Sequence, residues 1–291
     1  MKFMRFVPSR PMAHTRAWVS AAALAIASVG VSGWAPEASA QTSDARRAWL
    51  GVELEKGPGG GVVAKHVIRT SPADKGGVTD GDQIVSADGV MLDEPKQLVA
   101  RVALVGPGNT IKLRVRRGGV EKDASATLAP FPGADQILRL DKIGTFAPAW
   151  KPLKTVSGTV PASVNGLRGK VVVLDFWATW CLPCRVMSPQ LSKWQTAYGA
   201  QGLAIVGLTS DTVPTATRTA QALDMRYAVA ADGGDATASV YGVRALPTMF
   251  VIDKKGVIRE VLVGYDPSRH KDVEKLLQTL LAEPAPPAQT P

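Results

Sequence analysis

Cysteine is almost missing from this chain: there are two in 291 residues, Cys181 and Cys184. That excludes a fold stapled by several disulfides and any zinc site built from four thiolates. Histidine is as scarce, with only His14, His66 and His270, and none has ligand spacing to the cysteines. A mixed cysteine–histidine metal site goes with it. The glycine-rich run Gly57–Gly61 has no Gly-Lys-Ser/Thr ending, so it reads as a hairpin loop and not as a phosphate cradle. His66 lies in an alternating strand with no Ser-His-Asp set around it and reads as a satisfied strand residue, which leaves a protease unsupported. Of the formal +9 charge, Lys2, Arg5, Arg10 and Arg16 against Glu37 account for +3, and the remaining excess is scattered. Scattered charge argues against a nucleic-acid partner.

What is present is core material. An apolar content of 45% with 20% charged residues in a chain of this length predicts two globular domains. Met1–Trp18 is basic, Val19–Val31 is apolar and alanine-rich, and Ala38-Ser39-Ala40 precedes Gln41 in the small-x-small form of a signal-peptidase site. Residues 1–40 therefore read as an export signal; the alternative is an uncleaved membrane anchor over Ala17–Ala35. The expected location is periplasmic or otherwise extracytoplasmic. An oxidising compartment leaves thiols bridged, so a working dithiol there needs an electron donor, expected to be membrane-linked, or an oxidant. At the other end, 283–291 (EPAPPAQTP) reads as a disordered tail.

Both cysteines fall in one stretch, Val171–Cys184 (VVVLDFWATWCLPC). The apolar residues before Asp175 are mostly β-branched and read as a buried strand, and the residues from Cys181 to Tyr198 read as the helix that follows. A sulfur at that turn faces unbonded helix N–H groups and the positive end of the helix dipole, which favour thiolate and make Cys181 the nucleophile. Cys184, three residues on, shares its helix face and can close a disulfide with it, while Pro183 fits a first turn that needs no N–H. A purely structural bridge is the main competing reading, but so short a loop contributes only about 2 kcal/mol. Asp175, a carboxylate inside an apolar strand, should have a raised pKa suited to taking the Cys184 proton; a solvated strand-end aspartate is the alternative.

The run LDFWATWCLPC, with Leu246-Pro247-Thr248 downstream, resembles the thioredoxin superfamily from about Ile143 to Leu281. The resemblance implies Cys181 as attacking thiol, Cys184 as resolving thiol, Asp175 as buried proton acceptor, and Pro247 as a cis-proline beside the disulfide. Trp180 and Leu246, which flank these residues, are candidates for substrate contact. IGTFAPAW, GLRGK and GLAIVGLTSD resemble the extracytoplasmic TlpA-like reductases. Members of that subgroup in cytochrome c assembly commonly carry glutamate where this chain has Met187, so the local site looks closer to general thioredoxin. No cofactor is implied beyond a redox-active Cys181–Cys184 disulfide, and no metal. With no histidine between the cysteines to stabilise the thiolate strongly, reduction is the expected direction.

Upstream, WLGVELEKG, SPADKGGVTDGDQIVSADG and PGNTIKLRVRRGG resemble PDZ domains of the bacterial protease-associated type over 48–130. That implies peptide C-termini as partners: the loop Leu50-Gly51-Val52 would offer N–H groups to a terminal carboxylate while the next strand adds the peptide. Leu98 and Val102 would either wall the groove or pack in the core. The expected architecture is thus a small β-rich PDZ fold over 48–130, a linker over 131–142, and an α/β thioredoxin fold over 143–282 with a mixed central sheet and helices on both faces. The expected function is an exported thiol-disulfide oxidoreductase that reduces disulfides in partner proteins recruited by the PDZ domain. An interaction protein that uses the second domain chiefly as a binding surface is the alternative. A thiol peroxidase, hinted at only by Thr179, is a minor one.

Overall fold

Thr110–Arg117 (TIKLRVRR) buries Ile111, Leu113 and Val115 and turns the residues between them to solvent, the period-two pattern of a strand with one wet face. Sheets of this kind organise the first of two domains in the computed structural model, which describes residues 47–287. The expected export signal and the last four residues of the expected tail lie outside the described residues. In chain order the first domain runs β1 (Ala48–Trp49), β2 (Val52–Lys56), β3 (Val62–Val67), α1 (Pro72–Lys75), β4 (Gln83–Ala87), β5 (Val90–Met91), α2 (Pro95–Val105), β6 (Thr110–Arg117), β7 (Val120–Thr127) and β8 (Ala129–Pro130). The main sheet is antiparallel in the order β2-β3-β4-β6-β7, with β5 beside β4, and β1 pairs with β8. β2 is therefore an edge strand. Gly57–Gly61 joins it to β3 as a hairpin loop, closed by the Gly57 N–H on the Gly61 carbonyl at 3.0 Å.

Asp82 is 1% exposed, and the fold answers its charge with the Nε and Nη2 of Arg117, each 2.7 Å from a carboxylate oxygen, and the Thr79 N–H. Burial alone would raise the Asp82 carboxyl, but these donors bring it below the usual range. The Arg117 fork ties the end of β6 to the turn before β4.

The expected linker is mostly helix. α3 (Ala134–Lys142) lies against the second domain, where Arg139 pairs with Glu260 and donates to the Val261 carbonyl at 2.6 Å. From the first domain His66 reaches Asp141 on that helix (Nε2 to Oδ1, 2.7 Å) as well as Asp80 (3.3 Å). Burial alone would lower the His66 imidazole; the two carboxylates together hold it above its ordinary value. The satisfied-residue expectation for His66 is met, with one partner beyond its own domain.

The second domain contains β9 (Lys154–Ser157), β10 (Val171–Phe176), α4 (Leu182–Tyr198), β11 (Leu203–Thr209), α5 (Val213–Ala222), β12 (Ala228–Ala231), α6 (Ala236–Tyr241), β13 (Thr248–Ile252), β14 (Ile258–Val263) and α7 (His270–Ala282). Its mixed sheet has the order β14-β13-β10-β11-β12-β9, with β10 and β12 parallel to β11 and the remaining pairs antiparallel. Every residue of β10 is buried, as a strand covered on both faces requires. One face packs Val171 and Val173 against α4, α5 and α7 through Leu191, Trp194, Ala220 and Leu277. The other packs Val172, Leu174 and Phe176 against α3 and α6 through Leu138, Ala238 and Tyr241.

Arg117→Ala should lower the urea midpoint of the first domain near neutral pH, because it leaves the buried Asp82 carboxylate without its cation, with the difference shrinking as acid protonates Asp82. Urea unfolding at pH 7 and pH 3 measures both.

Candidate active site

β10 carries the site because its side chains alternate between the two core layers. Val171, Val173 and Trp177 point toward α4, and Asp175 shares their face. The strand ends at Phe176, and the chain turns through Ala178–Trp180 into α4, whose N-cap is Cys181. Cys181 Sγ accepts the Cys184 N–H at 3.2 Å, and Cys184 lies on the same face one turn on, so the two are disulfide-bonded at a Cα separation of 5.3 Å. The helix begins one residue after Cys181 and ends at Tyr198, close to the expected span. A sulfur that caps a helix in this way meets an N–H that has no helical partner, so negative charge arising there on reduction is received by a donor already in place.

Two features of the turn had no local signature in the sequence. Asp211, just after β11, accepts the Thr179 N–H at 2.7 Å and the Thr209 hydroxyl at 2.9 Å, which pins the loop that carries Trp180 and Cys181. Within α4, Pro189 cannot supply the N–H that the Arg185 carbonyl would receive four residues back; the Ser188 hydroxyl donates to that carbonyl instead, at 3.2 Å. The helix continues through the proline for two more turns.

The rim of the pair is exposed and apolar. Trp180 is 75% exposed and Leu182 67%, with Val186 also exposed, while the cysteines themselves are buried. Trp180 and Leu246 line one cleft of about 310 Å³ with Trp177, Asp232 and Arg244. The Leu246–Pro247 bond is cis, and the Pro247 carbonyl accepts the Gly264 N–H at 2.8 Å. Larger clefts exist, one of about 750 Å³ between the domains, but neither it nor the cleft beneath β7 of about 860 Å³ contains the sulfurs.

Asp175 is 2% exposed, and its Oδ1 makes no hydrogen bond among the described residues. Burial pushes its carboxyl up to about 7, so the solvated strand-end alternative does not describe it. Its neighbour across the sheet on β11 is Gly207, and a Cβ there would lie 3.0 Å from Trp177 Nε1 and 3.2 Å from the Tyr227 ring. The absence of a side chain on Gly207 is what lets these two rings pack against the strand beside Asp175. Pro247, Met187 and His270 complete its surroundings along a cavity of about 20 Å³. Cys181, Cys184, Asp175 and Pro247 are thus gathered at one end of β10, although Pro247 is 63 residues from Cys184 in the chain.

Leu50, Gly51 and Val52 lie in the other domain. Leu50 is buried in its core and Val52 packs against that core, so their side chains are structural. The N–H groups of Leu50 and Gly51 make no hydrogen bond among the described residues, and β2, the strand that follows, is the sheet edge. Gly51 has φ +83°, and a Cβ on it would collide with Ser71; glycine is demanded here by internal packing, whatever approaches from outside. Leu98 and Val102 are core residues, while Val99 and Leu104 on the same helix are exposed. Among the described residues no group of three or more His, Cys, Asp or Glu side chains is placed to hold a metal, and no helix is long and apolar enough to cross a membrane.

Comparison with known proteins agrees with this division. The PDZ domain family matches residues 48–128 and the AhpC/TSA family matches residues 143–261. Protein DipZ of Mycobacterium tuberculosis is 30% identical over 64% of this chain and 28% of its own length. Thiol-disulfide oxidoreductase ResA of Bacillus cereus is 36% identical over 35% of this chain and 59% of its own. Among solved structures, a thiol:disulfide interchange protein of the thioredoxin family from Chlorobium tepidum matches with 28% identity and a TM-score of 0.42, over 49% of this chain and 99% of its own. The chain spans under a third of DipZ and about three fifths of ResA.

The state of Asp175 has a consequence for stability. Between about pH 4, where an aspartate in the unfolded chain ionises, and pH 7, where the buried one does, the folded protein holds a proton the unfolded chain has released. Stability therefore falls as pH rises through that window and levels off above it. Asp175→Asn should remove the effect, stabilising the oxidised protein by about 3–4 kcal/mol at pH 8 and by under about 1 kcal/mol at pH 4. Denaturant unfolding of both proteins at the two pH values reads the difference.

Proposed function

Since the chain carries a PDZ domain followed by a thioredoxin-like domain of the AhpC/TSA family, we propose that it is an exported thiol-disulfide oxidoreductase that reduces disulfides in partner proteins. The observation that carries this reading is the Cys181–Cys184 pair at the N-terminus of α4, in the same domain as a buried carboxyl whose Oδ1 has no partner among the described residues. In the reduced protein the Cys181 thiolate attacks one sulfur of the partner's disulfide; the other leaves as a thiolate, and a mixed disulfide forms on Cys181. Cys184 then gives its proton to the Asp175 carboxylate and attacks Cys181 Sγ, expelling the second partner sulfur. Two electrons have passed to the partner, and the protein is left with its own disulfide, which a donor outside this chain must reduce. That donor is expected at the membrane, and the protein's location outside the cytoplasm rests on the character of residues 1–40. The reaction needs no cofactor or metal.

The exposed rim of Trp180, Leu182 and Val186 suits an unfolded or flexible stretch of partner, since apolar side chains at a flat site bind extended chain with little sequence demand. Pro247, buried beside the pair, completes the site's floor. The PDZ domain adds recruitment: the N–H groups of Leu50 and Gly51 would receive a terminal carboxylate, and the free edge of β2 would pair with the peptide behind it. Two sites on one chain raise the local concentration of a partner that carries both a terminus and a disulfide. The name of ResA favours this exchange reaction over peroxide chemistry.

Cys184→Ser, which stops the second step, should accumulate mixed disulfides with partner proteins, and Cys181→Ser should neither trap nor reduce anything. A Cys181→Ser protein that still reduces disulfides at the normal rate would mean that the chemistry lies elsewhere. Retained biological function without either cysteine would favour the interaction-protein reading. For recruitment, a peptide with a free C-terminus selected for binding should raise the KM for a folded protein substrate several-fold and leave a small disulfide unaffected; the same peptide amidated should do neither. An equal effect on both substrates would deny the division of labour between the domains.

A further inference from the structure

The cavity of about 20 Å³ beneath the site is lined by Asp175 from β10, Met187 from α4, Pro247 and Met249 near the start of β13, Leu262 from β14, and His270 from α7. A space of this size accommodates a single water. Two of its lining groups end in buried polar atoms that make no hydrogen bond among the described residues, Asp175 Oδ1 and His270 Nε2. Buried polar atoms normally find a partner, and a water bound by both is the arrangement that satisfies both at once. The His270 ring is fixed between Trp194, edge-on at 5.9 Å between centroids, and Tyr265 at 5.7 Å, so its orientation is set by packing. Unlike Asp175, His270 is part-exposed, and the Asp266 beside it on the cavity wall is exposed.

We propose that His270 is the second proton-carrying group of this site, linked to Asp175 through one buried water, and that it passes to solvent the proton Asp175 takes from Cys184. The inference rests on the exchange reaction proposed above. When the Cys184 thiol is deprotonated, Asp175 becomes a neutral acid in an apolar enclosure, and it must be ionised again before the next turnover. With its hydrogen on Nδ1, His270 presents Nε2 as an acceptor. The water donates a proton to Nε2 while it takes one from Asp175, and the imidazolium releases its Nδ1 proton at the surface. One proton leaves Cys184 and one reaches solvent; no electrons move in this step.

The charged and titratable surroundings are few. Asp175 is faced by Tyr227, next to β12, whose hydroxyl has no hydrogen-bond partner among the described residues and is pushed up by burial and by the Asp175 charge, and across the cavity by His270. His270 is faced by Tyr265 and Asp266 from the segment after β14, and by Asp175 across the cavity. Its chain neighbour Arg269 is directed to Glu260 and Asp272 instead, at 3.5 Å and 3.8 Å. Asp266 and His270 both line the cavity and reach toward solvent, but Asp266 Oδ1 is held by the Ser268 N–H and hydroxyl at 2.9 Å and 2.6 Å, whereas His270 Nε2 has no hydrogen-bond partner among the described residues.

The measurement is the rate at which the mixed disulfide on Cys181 closes to the Cys181–Cys184 disulfide over repeated turnovers, with a small disulfide substrate and a dithiol donor both in excess so that Asp175 must lose its proton in every cycle, from pH 5.5 to 9. In the native protein that rate should rise with pH as Asp175 ionises. His270→Phe, which keeps an aromatic ring between Trp194 and Tyr265, should slow closing about tenfold below pH 7 and move the midpoint of the profile upward. His270→Gln keeps a polar end at the cavity but does not titrate; should the phenylalanine variant fail to fold, it should show the same upward shift. In an Asp175→Asn background, already slow, neither substitution at His270 should slow closing further. Equal slowing in both backgrounds, or slowing by one constant factor at every pH, would reduce His270 to a packing residue and overturn the relay while leaving Asp175 as acceptor. Unchanged closing in Asp175→Asn itself would overturn the acceptor role and the relay with it.

Discussion

The second domain is arranged around the cost of holding one carboxyl away from water. Asp175 lies in a strand with both faces covered, and desolvation alone accounts for its raised pKa. A charge in such a place is tolerated only if it is paired or can be neutralised, and no cation among the described residues reaches it. Around it lie Gly207 without a side chain, the Trp177 and Tyr227 rings against that glycine, and a small cavity on the side of α7. A simple hydrophobic core would replace Asp175 with a valine like Val173. Retaining the carboxyl costs stability at the pH where it ionises, a cost that the proton-acceptor role proposed for it would put to use.

Against this floor, the disulfide is carried by elements that leave little freedom. Cys181 is a helix cap and Cys184 is in the first turn, so their separation follows from α-helical geometry once the cap has formed. The loop before them is held by Asp211, and the helix after them survives Pro189 because Ser188 supplies the missing donor. The sulfurs are buried while the side chains around them protrude. In the exchange reaction proposed above, a partner would make contact with Trp180, Leu182 or Val186 before its own disulfide approached Cys181.

The first domain contributes a different physical resource, a strand edge that is unpaired among the described residues. Sheet edges invite pairing, and here the edge begins at a loop whose N–H groups make no hydrogen bond within the described residues. α3 stands between this domain and the second one. It packs on β14 through Arg139 and meets His66 through Asp141, so the segment between the domains is structured on both sides and is more than a tether.

Much of this was legible in the chain itself. The CLPC spacing, the β-branched run before Asp175 and the alternation of TIKLRVRR are local patterns, and local patterns carry strand, helix and turn because those depend on residues a few positions apart. The rise in the Asp175 pKa followed from the same reasoning, since a carboxyl inside an apolar strand is desolvated whatever packs upon it. Only the tertiary structure could show what lies across space. Gly207, Tyr227 and Asp211 come from beyond the active-site helix, His270 is 95 residues from Asp175, and the Asp141 partner of His66 lies beyond the first domain altogether. Leu98 and Val102 illustrate the same limit: an apolar pair on one helix face is equally suited to line a groove or fill a core, and which it does is settled by the neighbours the sheet brings against it. Sequence determines the periodicity of an element, while the identity of the atoms that meet at its buried face is a property of the folded chain.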